Sequence, residues 1–328
     1  MLNFIFRRSL LLVPFLFLIS IVSFIVIQLP AGTFVDTYVN NLKMKGGTVS
    51  EEQKASIEAM YGLDRPLPVQ YGIWITNIVL RGNFGNSFRY NRPVADILKE
   101  RVPRTISISL VAILLTWLLA LPLGILSAVK QYSFWDHLFT FISLLGLAVP
   151  GFLLALVLMY AVYAKTGWMI SGLFSPEFRA EPWSFAKVTD MLKNVWLPLL
   201  VLSITGVAGI IRVLRASLLD ELNKQYVTTA RAKGLSEWQL ILQYPVRIAI
   251  NPLISTVGWM LPAVVGGEIV VSKVLNLPTT GPILLEATTT QDMYLAGGIV
   301  MILSFLTVIG TFISDVLLAV NDPRIRVN

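Results

Sequence analysis

The sequence predicts an all-α, polytopic membrane bundle of six transmembrane helices with a small external subdomain between helices 1 and 2. Three observations predict it. The 328 residues are 55% hydrophobic, and only 14% are charged, whereas a soluble domain carries about 25% charged residues. Apolar stretches of about 20 residues, enough to cross roughly 30 Å of hydrocarbon, recur along the chain. The basic residues cluster between those stretches.

The apolar segments fall near 9–29, 103–129, 136–163, 195–218, 249–272 and 294–320. The first follows Arg7-Arg8 in the manner of a signal peptide. Its run from Ser9 to Leu29 is longer than an h-region and lacks a small-x-small cleavage site, so it reads as an uncleaved spanning helix. Six crossings put both termini on one side. Arg7, Arg8, Lys130, Arg215, Lys224, Arg231, Lys233, Arg247, Arg324 and Arg326 then share that side, which the positive-inside rule assigns to the cytoplasm. The domains expected are an N-terminal transmembrane helix (1–29), an extracytoplasmic subdomain (30–101), a transmembrane core (102–320) with a cytoplasmic loop at 219–248, and a cytoplasmic tail (321–328).

The 30–101 region also carries basic residues, but loops of this length cross the membrane largely regardless of charge. Within it, Ser50-Glu51-Glu52-Gln53 has the pattern of a capping box and Gly62 is placed to end the helix it opens. From Gln70 to Leu80, Tyr71, Ile73, Trp74, Ile75 and Ile78 suggest an amphipathic interfacial segment. The stretches 164–194 and 273–293, rich in proline, glycine and aromatics, read as packed loops. Pro122, Pro150, Pro198 and Pro262 are expected to kink helices.

Composition excludes several functions. The net charge of +7 comes without alternating basic and aromatic residues, so nucleic acid is not expected and contact with membrane lipid is. With no cysteine there are neither disulfides nor thiolate metal sites. No G-x-x-x-x-G-K-[ST] phosphate loop, H-E-x-x-H or nucleophile elbow occurs, and the one histidine, His137, cannot build a catalytic set. No catalytic residue, bound cofactor or metal ligand is therefore expected in this chain. His137, beside Trp135 and Asp136, reads as an interfacial residue, with pH sensing as the alternative.

The most informative segment is cytoplasmic: Tyr226-Val227-Thr228-Thr229-Ala230-Arg231-Ala232-Lys233-Gly234-Leu235. The small side chains of Thr229, Ala230 and Ala232 would let a short helix approach another surface closely. Gly234 supplies the left-handed conformation that ends it, and Ser236-x-x-Gln239 can cap the next helix, which carries Trp238, Leu240, Ile241 and Leu242. A helix–glycine–helix elbow follows. On the residues alone, a solvated loop with ordinary caps and a docking element both fit.

This segment resembles the EAA loop of permeases of binding-protein-dependent ABC importers, in the YVRTARAKGL form of the peptide and nickel permease family. The similarity extends through Tyr61-Gly62-Leu63-Asp64-Arg65-Pro66, Gly82-Asn83-Phe84-Gly85-Asn86-Ser87, Pro93-Val94, Arg101-Val102-Pro103-Arg104-Thr105 and Asp322-Pro323-Arg324-Ile325-Arg326, all of that family's first-permease type. The resemblance implies a permease subunit in the bacterial inner membrane that pairs with a second, homologous permease and receives its solute from an extracytoplasmic binding protein. It also implies that the elbow docks on one of two separate ATPase subunits, which bind the ATP and Mg and whose closure rocks the permeases between two states. The coupling residues would be Tyr226, Thr228, Thr229, Ala230, Arg231, Ala232, Lys233, Gly234 and Leu235.

Three departures accompany the resemblance. The glutamate at the head of the family pattern aligns with Thr228. Where relatives read E-x-x-F-x-x-P-G-x-G, this chain reads Ser272-Lys273-Val274-Leu275-Asn276-Leu277-Pro278-Thr279-Thr280-Gly281. Glu268 follows Gly266-Gly267 where relatives place a small residue. A carboxylate at membrane depth costs about 2.5–3.5 kcal/mol on insertion scales unless paired or hydrated, so Glu268 is expected either in a structural pair or on the solute path. Asp315 and Arg212 are expected in structural pairs. Di- and oligopeptides are the expected solutes, with oligosaccharides, opines and nickel as alternatives. A secondary transporter is the rival class, although it would bring inverted repeats and broken midplane helices.

Overall fold

The computed structural model describes residues 2–28, 50, 65–87, 89–267 and 269–321, with no side-chain description at 2–4, 259 and 261–267. Glu51-Glu52-Gln53, Gly62, Tyr61 to Asp64, Glu268, the tail at 322–328 and the Pro262 side chain lie outside the described residues.

In chain order the helices are α1 (Leu2–Gln28), α2 (Leu67–Arg81), α3 (Val94–Val129), α4 (Phe134–Ala148), α5 (Gly151–Thr166), α6 (Phe185–Leu222), α7 (Gln225–Ala232), α8 (Glu237–Gln243), α9 (Pro245–Ala249), α10 (Asn251–Gly267), α11 (Ile269–Val274), α12 (Thr280–Thr289) and α13 (Met293–Asn321). A two-stranded antiparallel hairpin, β1 (Asn86–Ser87) with β2 (Arg92–Pro93), lies between α2 and α3.

Within α1 the span Ile5–Gln28, together with α3, α6 and α13, is long and apolar enough to cross a membrane. Two bent pairs bring the number to six if each is one span: α4 with α5, at 102°, and Glu237–Ala249 with Asn251–Gly258, at 42°. The expected continuous segment at 136–163 is thus two helices. Val149 is extended (φ −88°, ψ 120°), as a residue before proline prefers, and Pro150 cannot donate the amide that would continue the ladder. Pro122 and Pro198, by contrast, lie within the continuous helices α3 and α6.

The chain divides into two compact units. The first comprises Met1–Ser9, Ile106–Pro278 and Thr307–Asn328. One of its cores joins Ile211, Leu214 and Leu218 of α6 to Leu240 and Ile241 of α8 and Leu253 of α10. Another joins Ala155 of α5, Leu197 and Val201 of α6, and Val271 and Leu275 near α11. Helices α10 and α13 approach backbone to backbone: a Cβ placed on Gly258 would lie 2.7 Å from the Thr311 Cα, and one on Gly310 2.9 Å from the Gly258 carbonyl oxygen. Small residues permit such crossings. Ser314 closes this one by donating to the Ile254 carbonyl at 2.6 Å. Asp315 pairs with Arg8 at 3.3 Å, as its expected structural role requires. Arg212 is exposed and makes no ion pair among the described residues, contrary to expectation.

The stretch 164–194 is only partly a loop, because α6 begins at Phe185, capped by Ser184. The loop before it is held by buried Asp190, which accepts from the Ser175 amide at 2.8 Å and hydroxyl at 2.6 Å. Lys187 donates to the Glu181 carbonyl and lies 4.9 Å from the Phe174 ring centroid.

The second unit comprises Leu10–Thr105 and Thr279–Leu306. The amphipathic segment expected at Gln70–Leu80 is α2, which buries Trp74 and Ile78 against Phe24 and Ile27 of α1. Tyr71 and Ser20 share a 2.6 Å hydrogen bond. The stretch 273–293, expected to be loop, contains α12, whose first turn accommodates Pro282 because an amide there has no helical partner. Asp292 anchors the hairpin, accepting from the Ser87 hydroxyl at 2.5 Å and the Arg89 amide at 3.1 Å. Glu286 takes Arg89 at 2.7 Å and the Tyr90 hydroxyl at 2.8 Å. Burial first, then that hydrogen bond, pushes the Tyr90 hydroxyl up to about 12, so it remains a donor at physiological pH.

Candidate functional site

The elbow begins where α6 ends at Leu222. Helix α7 then runs Gln225–Ala232, its Lys233 amide returns to the Thr229 carbonyl at 3.2 Å, and the Gly234 amide reaches the Arg231 carbonyl at 3.1 Å. Gly234 has φ +80°, the left-handed conformation that closes many helices and that a Cβ disfavours by about 1–2 kcal/mol. The chain reverses there into α8.

One face of each short helix packs inward. Val227 and Ala230, three residues apart, are buried in the first unit's core with Leu240 and Ile241, and Tyr226 and Leu235 pack at its edge. Full burial of Leu240 or Ile241 contributes roughly 2 kcal/mol. The other face holds Thr228, Thr229, Arg231, Ala232, Lys233 and Gly234, all exposed, beside Trp238 at 55% and Leu242 at 54% exposure. Ala230, expected to help a close approach to another surface, instead serves the chain's own core. The i, i+3 spacing of Val227 and Ala230 turns both inward.

The polar groups fix the bend. Arg231 and Glu237 form a surface ion pair across it at 2.5 Å, which raises the guanidinium above its usual range. The Tyr226 hydroxyl donates to Glu221 at 2.6 Å; burial, reinforced by that bond, lifts it well above the ordinary tyrosine value. Ser236 occupies the expected N-cap position but makes no side-chain cap bond. Its hydroxyl donates to Gln239 Oε1 at 3.0 Å. A Cβ at Gly234 would meet nothing within 4 Å, so the apex is open on its outer side.

A buried polar centre supports the start of α4 in the same unit. Asp136, 3% exposed at its side chain, accepts from Arg215 Nε at 2.7 Å and Nη2 at 2.8 Å, from the Ser127 hydroxyl at 2.5 Å and from the Tyr132 amide at 2.8 Å. Sequence reading treated Arg215 as a topology charge and Asp136 as a neighbour of His137. Their separation in sequence conceals the pair, although an acid and a base at apolar segment ends were a usable signal. His137 is exposed, with Nδ1 2.8 Å from the Ser133 carbonyl.

The same unit has an open cavity of about 470 Å³ lined by Thr116 of α3, Thr205, Gly206 and Gly209 of α6, Thr256 of α10 and Val271 of α11, among others. This volume suits a small ligand. A Cβ at Gly206 would lie 2.9 Å from Thr116 Cγ2, whereas one at Gly209 would meet nothing. Sequence reading missed these residues, for which the threonine and glycine spacing of α6 was the one available sign. Among the described residues no group of three or more His, Cys, Asp or Glu could hold a metal ion.

The comparisons with known proteins cover the whole chain. A family model described as "Binding-protein-dependent transport system inner membrane component" matches residues 120–327, and the N-terminal model of the same transport systems matches residues 1–109. The oligopeptide transport system permease protein AppB of Bacillus subtilis (strain 168) is 32% identical over 327 residues, covering 98% of this chain and 99% of that one. The corresponding OppB of Haemophilus influenzae is 32% identical over 330 residues, covering 99% and 100%. A Brucella suis biovar 1 protein assigned to peptide permeation is 34% identical over 329 residues, covering all of both chains. The chain therefore belongs to the family of binding-protein-dependent transport system inner membrane components, the membrane-spanning permease subunits of ABC importers.

Proposed function

We propose that this permease passes di- or oligopeptides inward across the bacterial inner membrane, with both termini in the cytoplasm, and that the α7–Gly234–α8 elbow couples it to a separate ATPase subunit. The peptide assignment rests on the names of the full-length relatives AppB and OppB. The coupling assignment is carried by one observation: the elbow is anchored inward by Val227, Ala230, Leu240 and Ile241, and it presents Thr228, Thr229, Arg231, Lys233, Trp238 and Leu242 to solvent. An exposed Trp and Leu beside cations on a firmly held bend make a surface suited to a protein partner.

In this reading two ATPase subunits hold ATP and Mg and perform hydrolysis. A second, homologous permease completes the pathway, and an extracytoplasmic binding protein delivers the solute to the 30–101 region. Nucleotide-driven closure moves the docked elbow, and the core linking α8 to α6 carries that displacement into the spanning helices. Thr228, in place of the family's glutamate, leaves docking to shape, to Arg231 and Lys233 and to the aromatic face. The threonine-lined cavity and, on sequence grounds, Glu268 are assigned to the solute path.

The test is Gly234→Asp in the assembled transporter reconstituted in vesicles. The open apex accommodates the side chain without an internal clash, so the complex is expected to assemble and hydrolyse ATP while peptide uptake falls at least tenfold. Normal uptake by this variant would refute the coupling role. Glu268→Gln is expected to alter the concentration dependence of uptake; unchanged kinetics in a stable variant would return Glu268 to a structural role.

A further inference from the structure

The second unit contains a cavity of about 420 Å³, lined mostly by residues of the 30–101 region, to which the transport reading assigns no ligand. Phe24 and Gln28 of α1, Trp74, Asn77 and Arg81 of α2 and Lys99 of α3 line it, among others. Among the described residues its lining includes two cations and no acid. Arg81 and Lys99 are both exposed, and among the described residues neither makes an ion pair. Two cations on one cavity, with no acid beside them among the described residues, favour an anionic ligand.

The cavity's position indicates the source of that anion. Gln28 is the last residue of the 24-residue apolar span Ile5–Gln28, so the cavity lies at the end of a membrane-spanning segment. The elements around it also leave apolar surface uncovered: Val22 and Ile25 on α1, and Leu67, Val79 and Leu80 on α2. Uncovered apolar side chains on the same helices give a lipid's acyl chains a place to lie, which a small soluble anion does not need.

We infer that this cavity binds the phosphate headgroup of an anionic phospholipid. Arg81 and Lys99 neutralise the charge, and the side-chain amides of Gln28 and Asn77 supply hydrogen bonds to phosphate and glycerol oxygens. The acyl chains follow the uncovered face of α1. The bound lipid fixes α2 at the membrane boundary, since α2 lines the cavity over a full turn from Ile73 to Asn77.

Native mass spectrometry of the full-length protein in detergent, titrated separately with phosphatidylglycerol, phosphatidylcholine and inorganic phosphate, tests this. The wild type is expected to retain phosphatidylglycerol in preference to phosphatidylcholine and to hold it against millimolar phosphate. Arg81→Gln/Lys99→Gln should bind phosphatidylglycerol about 30-fold more weakly, at roughly 1 kcal/mol per basic residue, while the control Lys165→Gln/Arg179→Gln, in the other compact unit, should match the wild type. Wild-type binding should also weaken as salt rises, a readout that needs no variant. Equal retention of the two lipids, undiminished binding by the Arg81/Lys99 double variant, or salt-independent binding would each overturn the assignment. Displacement by inorganic phosphate would overturn the lipid source in favour of a soluble anion.

Discussion

The α7–α8 elbow and the Asp136 centre lie in the same compact unit, and each brings one acid and one arginine together, yet they treat those charges in opposite ways. Arg231 and Glu237 are each 52% exposed at the side chain and meet across six residues of local sequence. Asp136 and Arg215 are 3% and 27% exposed, meet across 79 residues, and are joined by Ser127 and the Tyr132 amide. Water screens the first pair, which can exchange its partner for another surface at little cost. In the second pair the Asp136 carboxylate is desolvated, so its charge depends on Arg215. The exposed pair leaves its charges wet, whereas the centre at Asp136 saturates its carboxylate with four donors.

The largest expected effect therefore lies at the buried centre. Asp136→Asn leaves Arg215 without its charge partner and should cost about 3 kcal/mol, read as a lowered thermal transition of the purified protein in detergent. An unchanged transition would mean that solvent already reaches this pair. Next comes Gly206→Ala, whose methyl would press on Thr116 Cγ2 at 2.9 Å and should destabilise by about 1–3 kcal/mol. Gly209→Ala, one turn on with nothing near its Cβ, should be neutral or stabilise α6 by up to about 1 kcal/mol. The same thermal measurement separates the two glycines.

At the elbow, Gly234→Ala should cost about 1 kcal/mol, because only the left-handed backbone opposes it. Limited proteolysis at the bend would report the loss. The smallest effect is expected for the exposed pair: a double-mutant cycle with Arg231→Gln and Glu237→Gln should return a coupling below about 1 kcal/mol that fades in high salt. A coupling of several kcal/mol would erase the distinction between the two regions.

Much of this was legible in the residues. Hydropathy located the apolar segments, and the Ala232-Lys233-Gly234 run located the end of α7, because a left-handed helix stop selects glycine for a local steric reason. Pro150 was recognised as a kink site, but not that it would bend the chain by 102°; the angle depends on what α4 and α5 pack against. Ala230 was assigned to the wrong face because a small residue satisfies both a docking surface and a crowded core. The Asp136–Arg215 joint and both cavities were missed altogether.

The sequence by itself determined the solvent, the helical class, the position of the elbow and the family, since each depends on composition, on local backbone preference or on motifs contiguous in the chain. Tertiary structure alone decided which face of α7 turns inward, which arginine Asp136 holds, and that Gln28, Asn77, Arg81 and Lys99 surround one cavity. Those facts depend on contacts between residues tens to hundreds of positions apart. Such contacts form only when packing has chosen among many pairings that the sequence leaves nearly equal.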